Sequence, residues 1–395
     1  MAGTTSNPRG RGPRPTPLAW LSLTHDRRRF FASTAGVAFA ILLMWVELGF
    51  LNAIYDSTTL PVEAFAADLI VVSSLKDNTN PSKPFPRSLL SRAAGSEGVA
   101  AAEPLYLSRW GQWQGHGTAT QDNIRVVGID PGRRHFKAPE INAGRRSLQR
   151  LDTALVDRRH RDSYGASLRL GNSGELNGHR IDIVGDFELG PGLEMNATLI
   201  VSDRTFARVF ASPERQDPLQ RVDYGLIRLD ESASATAVKR ALNDRLGAAV
   251  RVLSPDELIA DIHRYWTLNK PVGAVFGLGV VVGFLIGVVI CYQVLFTDVL
   301  DHLPQFATLV AMGYSARFLV RLAVGRGLLL AASATAAAAP VGWWAYGLLA
   351  NLTGLTFRIS AGRALLVASC AAAMCVLASL LAMRKALNAD PAELF

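Results

Sequence analysis

The chain has 395 residues, of which 49% are hydrophobic and 19% are charged, and its formal net charge is +8. The apolar residues are concentrated in four long runs, which excludes an ordinary soluble fold whose core residues recur at helix or strand spacing. The positive charge does not indicate a nucleic-acid partner. Much of it is arginine flanking these runs, where it favours contact with anionic membrane lipids.

The beginning of the chain has the features of a tail followed by a membrane anchor. Residues 1–17 are rich in proline, glycine and arginine and predict a disordered cytoplasmic tail. Residues 18–30 predict an amphipathic helix at the membrane interface, with a simple flank of the first span as the alternative. Residues 31–53 contain one charged residue, Glu47, and are long enough to cross about 30 Å of hydrocarbon as transmembrane helix 1.

Residues 54–270 predict an α+β extracytoplasmic domain inserted between transmembrane helices 1 and 2. It is expected to consist of two lobes and a stalk, with the stretch 130–217 forming one lobe. β-Branched runs predict strands, and capping and spacing signals predict helices. The expected strands are Ala67–Ser73, Asn123–Ile129, Arg180–Gly185, Ala197–Ser202, Asp223–Leu229 and Ala249–Leu253, and the expected helices are Pro86–Ala94 and Ala233–Leu246.

Local signals mark the ends of two helices in this domain. Ser232 is the predicted N-cap of Ala233–Leu246, and Gly247 lies just past its end. The stalk helix Pro255–Leu268 follows a capping box formed by Ser254 and Glu257. Asn269–Pro271 is expected to act as a hinge before the next span. The domain contains none of the three cysteines, so it must be held together without disulfides.

Three further spans complete an integral membrane protein with four transmembrane α-helices. They are predicted at 271–297, 322–350 and 364–383, joined by a cytoplasmic coupling-helix loop at 298–321 and a short periplasmic loop at 351–363, with a cytoplasmic tail at 384–395. Arginines such as Arg28, Arg317 and Arg384 flank the spans on one side if the spans alternate. By the positive-inside rule both termini are cytoplasmic and the large domain is periplasmic, in a multi-pass inner (plasma) membrane protein.

Small residues, one acid and one proline stand out within the spans. Glycines at spacings of four permit close helix packing, either within the chain or against a second copy: Gly273, Gly277, Gly279, Gly283 and Gly287. Glu47 is expected to be paired or to reach toward water, in preference to acting in a proton relay. Pro340 is expected to kink span three, and Trp343, Trp344 and Tyr346 to form an aromatic belt.

The loop between spans two and three contains a predicted short helix, Gln305–Met312. Asp301, His302 and Pro304 precede it, and Gly313 is its predicted C-cap. Phe306 and Leu309 lie on one face together with Val310 and Gly313. This apolar stripe is suited either to the bilayer surface or to a groove on a protein partner.

The sequence lacks the motifs of several catalytic and nucleotide-binding sites. It contains no GxxxxGK[ST] phosphate loop, no HExxH and no GxSxG. The histidines of the large domain have no metal-ligand spacing. No catalytic residue, metal site or cofactor bound by this chain is therefore expected.

The loop sequence TDVLDHLPQFATLVAMGYS (297–315) resembles the DevC family of heterocyst-type ABC exporter permeases. This family lies within the MacB/FtsX-like, or type VII, class of ABC transporters. Weaker matches are LAWLSLTHDRRR (18–29), ELGF (47–50), ADLIVVS (67–73) and GHRIDIVGDFELG (178–190), and the terminal ADPAELF (389–395) is more specific. The resemblance covers nearly the whole chain after the first tail.

The resemblance implies a homodimeric permease served by a separate DevA/MacB-like ATPase that holds ATP and Mg²⁺. It also implies a DevB-like membrane-fusion adaptor, a TolC-like outer-membrane channel and the export of a lipid-like or hydrophobic substrate. ATPase closure would push the coupling helix and move the periplasmic domain, a mechanism called mechanotransmission. The implied contacts are Phe306, Leu309 and Met312 in the ATPase groove, with Asp301, His302 and Tyr314 as polar contacts and Pro304 and Gly313 bounding the helix.

Three alternatives remain from the sequence. An FtsX-like regulator would switch a cell-wall hydrolase without transport, and a lipoprotein-release permease would share the same layout. A membrane-bound enzyme is the third, but no nucleophile–base or metal constellation supports it.

Overall fold

The computed structural model describes residues 27–75, 83–115, 121–160, 167–190, 197–211, 217–269, 271–301, 312, 315–353, 355 and 357–387. These residues form two compact units. The helical unit falls within Met1–Leu48, Leu278–Ala345 and Ile359–Phe395, and the sheet unit within Gly49–Gly277 and Tyr346–Arg358.

The described elements comprise nine α-helices and eleven strands with two short 3₁₀ turns. In chain order they are α1 (Arg27–Glu63), β1 (Leu69–Ser73), β2 (Phe85–Pro86), α2 (Arg87–Ala94), β3 (Val99–Gly115), β4 (Gln121–Ile129), α3 (Pro139–Gly144), a 3₁₀ turn (Arg145–Gln149), β5 (Thr153–Asp157), β6 (Ser173–Leu176), β7 (His179–Phe187), β8 (Thr198–Ser202), α4 (Asp203–Phe210), a second 3₁₀ turn (Pro218–Gln220), β9 (Arg221–Val222), β10 (Tyr224–Leu229), α5 (Ala235–Leu246), β11 (Val250–Leu253), α6 (Pro255–Leu268), α7 (Pro271–Asp301), α8 (Ala316–Thr353) and α9 (Ala361–Leu387).

Four of these helices, α1, α7, α8 and α9, are long and apolar enough to cross a membrane, as the sequence predicts. Helix α1 continues past the predicted end of span one to Glu63. Its last turns are rich in hydroxyl residues. The hydroxyls of Ser57 and Thr58 donate to the carbonyls of Ile54 and Tyr55, three residues earlier, and so make their hydrogen bonds within the helix.

The sheet unit is built on one nine-stranded sheet of order β11-β1-β10-β3-β4-β8-β5-β7-β6. Strand β3 has 17 residues, and its two halves have different neighbours. The first half pairs with β10, and the second half pairs with β4 and β6. A single long strand therefore belongs to both halves of the sheet, and the division of the domain into two lobes stays a prediction. That strand lacks a clear strand signal in its first half, VAAAEPL.

Several of the smaller elements match the sequence expectations, while others, among them α3, β5 and β6, are not anticipated. The capping box of α6 is confirmed, since Ser254 accepts from the Glu257 amide and the Glu257 carboxylate accepts from the Ser254 amide. The N-cap prediction for α5 is wrong, because that helix begins after Ser234 and not after Ser232. Helix α4 is not anticipated, although the Ser202 hydroxyl caps it by accepting from the Thr205 amide.

The boundary between the stalk helix and span two is a break in the helix. Helix α6 ends at Leu268, with Asn269 as its C-cap, and α7 starts at Pro271. A proline at this position cannot donate a backbone hydrogen bond to the preceding turn, which explains why one continuous helix does not form. Hinge motion at this break stays a prediction.

The sheet has an apolar core on each face. Successive side chains of a strand point to opposite faces, so neighbouring residues belong to different cores. Tyr106 and Val126 lie in the core shared with α2, α4 and α5. Leu105 and Val127 lie in the second core, which is completed by α6 and the end of α1.

His135 is a buried histidine at the edge of the second core, and its side chain is 1% exposed. Its Nε2 lies 3.1 Å from the Pro104 carbonyl oxygen. Burial lowers the pKa of His135 to about 4, against smaller raising effects from backbone hydrogen bonds. The imidazole is therefore neutral in the folded protein at neutral pH.

His135 should make the sheet unit less stable in mild acid. Its folded pKa lies below the unfolded value of 6.5, so its contribution is complete above that value and is lost as the pH falls toward about 4. The shift corresponds to about 3 kcal/mol. We expect His135→Gln to flatten the dependence of unfolding free energy on pH between 7 and 4, measured by denaturant unfolding of the purified full chain. His179→Gln on β7 is the matched control, and an unchanged slope in His135→Gln would contradict the assignment.

Candidate functional site

Most of the predicted coupling helix lies outside the described residues. This applies to His302, Pro304, Phe306, Leu309, Gly313 and Tyr314. Asp301 is described as the last residue of α7, so it belongs to the helix and not to the loop. Met312 is described and is 63% exposed. Helix α8 begins at Ala316, which leaves residues 302–315 to connect the two helices.

Three of the predicted packing glycines of α7 lie against other helices of the helical unit. A methyl group added at Gly279 would lie 2.6 Å from a carboxylate oxygen of Glu47 on α1, and one at Gly283 would lie 3.3 Å from Leu43 and Met44. A methyl group at Gly287 would overlap the sulfur of Met374 on α9. These contacts are within the chain, and they exist because glycine lets the helix backbones approach closely.

The other two glycines of the motif behave differently. At Gly277 no heavy atom of the described residues lies within 4 Å of an added Cβ. Gly273 belongs to the sheet unit, where an added Cβ would lie 2.9 Å from the hydroxyl of Tyr55. The five glycines therefore do not form a single surface that packs against one neighbouring helix. Contact of this helix with a second copy of the chain stays a prediction.

Further close contacts in the helical unit involve glycines that the sequence analysis did not select. An added Cβ at Gly342 on α8 would overlap the Trp45 ring on α1, and one at Gly327 would overlap the hydroxyl of Ser379 on α9. Cys291 and Cys375, one on α7 and one on α9, are buried with their sulfurs 3.4 Å apart. Isolated glycines at these positions show no repeating spacing, so no sequence motif marks them.

Glu47 is the one acid predicted inside span one, and its carboxylate lies in the notch left by Gly279. The side chain is half-buried, and no hydrogen bond or ion pair joins it to another described residue. Glu47 is therefore not paired with a basic side chain among the described residues. Its carboxylate lies instead beside the backbone of Gly279.

An aromatic cluster of the sheet unit is formed by Phe50, Phe276, Tyr346 and Phe357. The Phe50 ring stacks on Phe276 at 5.8 Å and meets Phe357 edge-on at 5.3 Å. Tyr346 is buried, with its ring 5.4 Å from that of Phe357. The belt prediction is therefore wrong for Tyr346. Trp343 and Trp344, in contrast, are 70% and 66% exposed, as an aromatic belt requires.

Polar contacts hold the same region together. The Tyr55 hydroxyl and the Thr267 hydroxyl are 2.9 Å apart, which joins α1 to α6. Arg358, which follows α8, lies 3.4 Å from the Glu63 carboxylate at the end of α1. Both partners of this ion pair are partly exposed, so its contribution is modest.

One apolar cluster continues from the helix ends to the sheet. It contains Ala53 and Ile54 of α1, Trp266 of α6 and the strand residues Ile70 and Leu105. Each of these side chains is at most 6% exposed. The helix ends and the strands are therefore packed in one continuous core. Among the described residues no group of acidic, histidine or cysteine side chains could hold a metal ion.

The glycine contacts predict a contrast between two positions of α7. We expect Gly287→Leu to destabilise the helical unit by about 1–3 kcal/mol, because the new side chain must displace Met374 and Ala40. Gly277→Leu adds the same side chain where no described atom is near, and it should have little effect. Thermal unfolding followed with a thiol-reactive dye is suitable, since Cys291 and Cys375 are buried in the fold. Equal midpoints for the two variants would contradict the packing described here.

Comparison with known proteins finds a family match for the C-terminal part of the chain. Residues 277–391 match the family model of the FtsX-like permease C-terminal domain. No curated protein matches the sequence. The extracellular domain of the noncanonic ABC-type transporter YknZ from Gram-positive bacteria is 12% identical, with a TM-score of 0.32, over 47% of this chain and 99% of that chain. The periplasmic region of MacB from Actinobacillus actinomycetemcomitans is 11% identical, with a TM-score of 0.34, over 50% of this chain and 94% of that one. These TM-scores are too low to carry an argument. The similarity to FtsX-like permeases therefore rests on the family match over residues 277–391.

Proposed function

We propose that this chain is the membrane permease subunit of a MacB/FtsX-like ABC transporter. The observation that carries the proposal is the FtsX-like match over residues 277–391. This range begins within α7 and contains the rest of that helix, helices α8 and α9, and the predicted coupling helix between α7 and α8.

The energy source in this proposal is a separate ATPase of the DevA/MacB type. The sequence contains no GxxxxGK[ST] motif with which to hold the phosphates of ATP. ATP and Mg²⁺ would therefore bind on the partner chain. This chain would act without catalytic residues of its own.

The mechanical part of the proposal rests on helix continuity and on the apolar cluster at the helix ends. Helix α1 is unbroken from Arg27 to Glu63, and its last turns join the cluster that contains Leu105 and Trp266. Nucleotide-driven movement of the coupling helix would tilt the spans, and the close-packed cluster would pass that movement to the sheet. The sheet unit is the extracytoplasmic domain in this mechanism.

The finer assignment is a DevC-like permease of a tripartite efflux pump. Its partners would be a DevB-like adaptor, a TolC-like outer-membrane channel and a second copy of this chain, and the substrate would be lipid-like or hydrophobic. The support is the resemblance of the coupling segment and of the terminal ADPAELF to that family. An FtsX-like regulator of a cell-wall hydrolase and a lipoprotein-release permease are the alternatives. Chains that co-purify with the protein distinguish them.

The coupling assignment predicts that Phe306→Asp combined with Leu309→Asp abolishes association with the ATPase. A charge at each position would have to be buried in an apolar groove, where an unpaired carboxylate is strongly disfavoured. Association is measured by co-purification of the ATPase with the detergent-solubilised permease, and coupling by substrate-stimulated ATP hydrolysis.

Ala311→Asp is the control, because on the predicted helix position 311 faces away from Phe306, Leu309 and Met312. It should leave association unchanged. Wild-type levels of ATPase binding in the double variant would refute the assignment.

The proposed topology predicts that the sheet unit and the coupling segment lie on opposite sides of the membrane. Single cysteines at Arg109 and His302, in a background without the three native cysteines, test this by labelling with a membrane-impermeant maleimide. In intact spheroplasts we expect labelling at position 109, and at position 302 only after lysis. Equal labelling of both positions in intact spheroplasts would overturn the topology.

A further inference from the structure

Cys291 on α7 and Cys375 on α9 form a pair of thiols inside the helical unit. Their sulfurs are 3.4 Å apart, and each side chain is 0% exposed. One thiol therefore donates a weak hydrogen bond to the sulfur of the other. The two residues are 84 positions apart in the chain, so no short spacing in the sequence marks them as a pair.

Close packing of three helices surrounds this pair. One turn before Cys291, the notch at Gly287 receives the sulfur of Met374, which is the residue next to Cys375. On α8, an added Cβ at Gly327 would lie 3.1 Å from a backbone atom of Cys375, its carbonyl oxygen. The backbones of α7 and α9 are therefore in close contact beside the two sulfurs, and α8 packs against the same turn of α9.

A small movement of the side chains would join the two sulfurs. A disulfide has an S–S bond of about 2.05 Å, so the sulfurs would have to approach each other by roughly 1.4 Å. Small rotations about the two Cα–Cβ bonds can supply a movement of that size. The thiols are therefore arranged so that oxidation can connect α7 to α9.

The position of the pair decides which oxidants can act on it. Both cysteines lie inside helices that are long and apolar enough to span a membrane, Gly273–Thr297 and Ala361–Arg384. Charged reagents enter hydrocarbon at high cost, and cysteines buried in apolar surroundings are inert to them. The oxidant must therefore be uncharged and soluble in lipid, and it must be small enough to reach side chains that have no exposed surface.

We propose that Cys291 and Cys375 are an oxidation site at which small uncharged nitrogen oxides form a disulfide between α7 and α9. Dinitrogen trioxide, which nitric oxide and oxygen generate in a bilayer, is the reagent of this class. One sulfur forms a bond to a nitrosyl nitrogen while the N–N bond of the reagent breaks, and the thiol proton leaves with nitrite as nitrous acid. The second sulfur displaces the nitrosyl group, which leaves with the second thiol proton as HNO. The S–S bond forms, and two electrons pass from sulfur to nitrogen.

The second thiol determines how far the oxidation proceeds. Because it traps the nitrosylated sulfur at once, the reaction ends at a disulfide, which a reductant reverses, and not at an irreversible oxoacid. The bond closes a chain segment of 84 residues and restricts the unfolded chain, so it stabilises the helical unit. Its formation requires neither an ATPase nor transport, and the proposal therefore stands apart from the proposed function.

The test uses the full-length protein in nanodiscs, exposed to nitric oxide in aerated buffer. Free thiols are then alkylated in denaturant, and peptide mass spectrometry without reductant locates the disulfide. We expect a cross-linked pair of peptides containing Cys291 and Cys375, which disappears on reduction. S-nitrosoglutathione, a charged nitrosating agent, should give roughly tenfold less of this product at the same concentration, because it is excluded from the spans.

The third cysteine of the chain supplies a matched control variant. Cys370 lies on α9 but does not belong to the pair, so Cys370→Ser should leave the yield of cross-linked peptide unchanged. Cys291→Ser removes one partner and should abolish it. Nitric oxide should raise the midpoint of thermal unfolding, followed by tryptophan fluorescence, in the wild type and in Cys370→Ser but not in Cys291→Ser.

The wild-type protein alone decides the proposal if a variant fails to fold. Free thiols at positions 291 and 375 after exposure to nitric oxide would overturn it, whether or not Cys370 is modified. A disulfide that joins Cys370 to either of the other two cysteines would overturn the pairing. Equal yields with nitric oxide and S-nitrosoglutathione would overturn the assignment to an uncharged, lipid-soluble oxidant.

Discussion

The packing of α1 and α6 against one face of the nine-stranded sheet is the constraint on which the sheet unit depends. Val62, Ile262 and Trp266 are all nearly inaccessible there, and they contact strand residues that alternate with those of the opposite core. A slip of one residue in the pairing of β3 would move Leu105 and Tyr106 each into the core that now holds the other, where neither side chain fits the existing packing. The strand register and the position of the two helices therefore stabilise each other.

The helical unit depends on a different interaction. Between apolar helices in lipid there is little hydrophobic driving force, so association requires close contact of the backbones. Glycines on α7 and α8 supply it at Gly283, Gly287, Gly327 and Gly342. The same loss of a side chain at Gly279 makes room for the Glu47 carboxylate. A costly acid within a span is thus tolerated at a position where a neighbouring helix leaves space.

The sequence by itself determined the four apolar helices, several strands and the capping box at Ser254, because these depend on local composition, capping and backbone chemistry. It did not determine the single continuous sheet, since the pairing of β3 with β10, β4 and β6 joins residues far apart in the chain. Only the tertiary structure placed Tyr346 in the core, distinguished Gly287 from Gly277, and set Cys291 beside Cys375. Each of these depends on which surfaces meet, and residue spacing along one element carries no information about its partner.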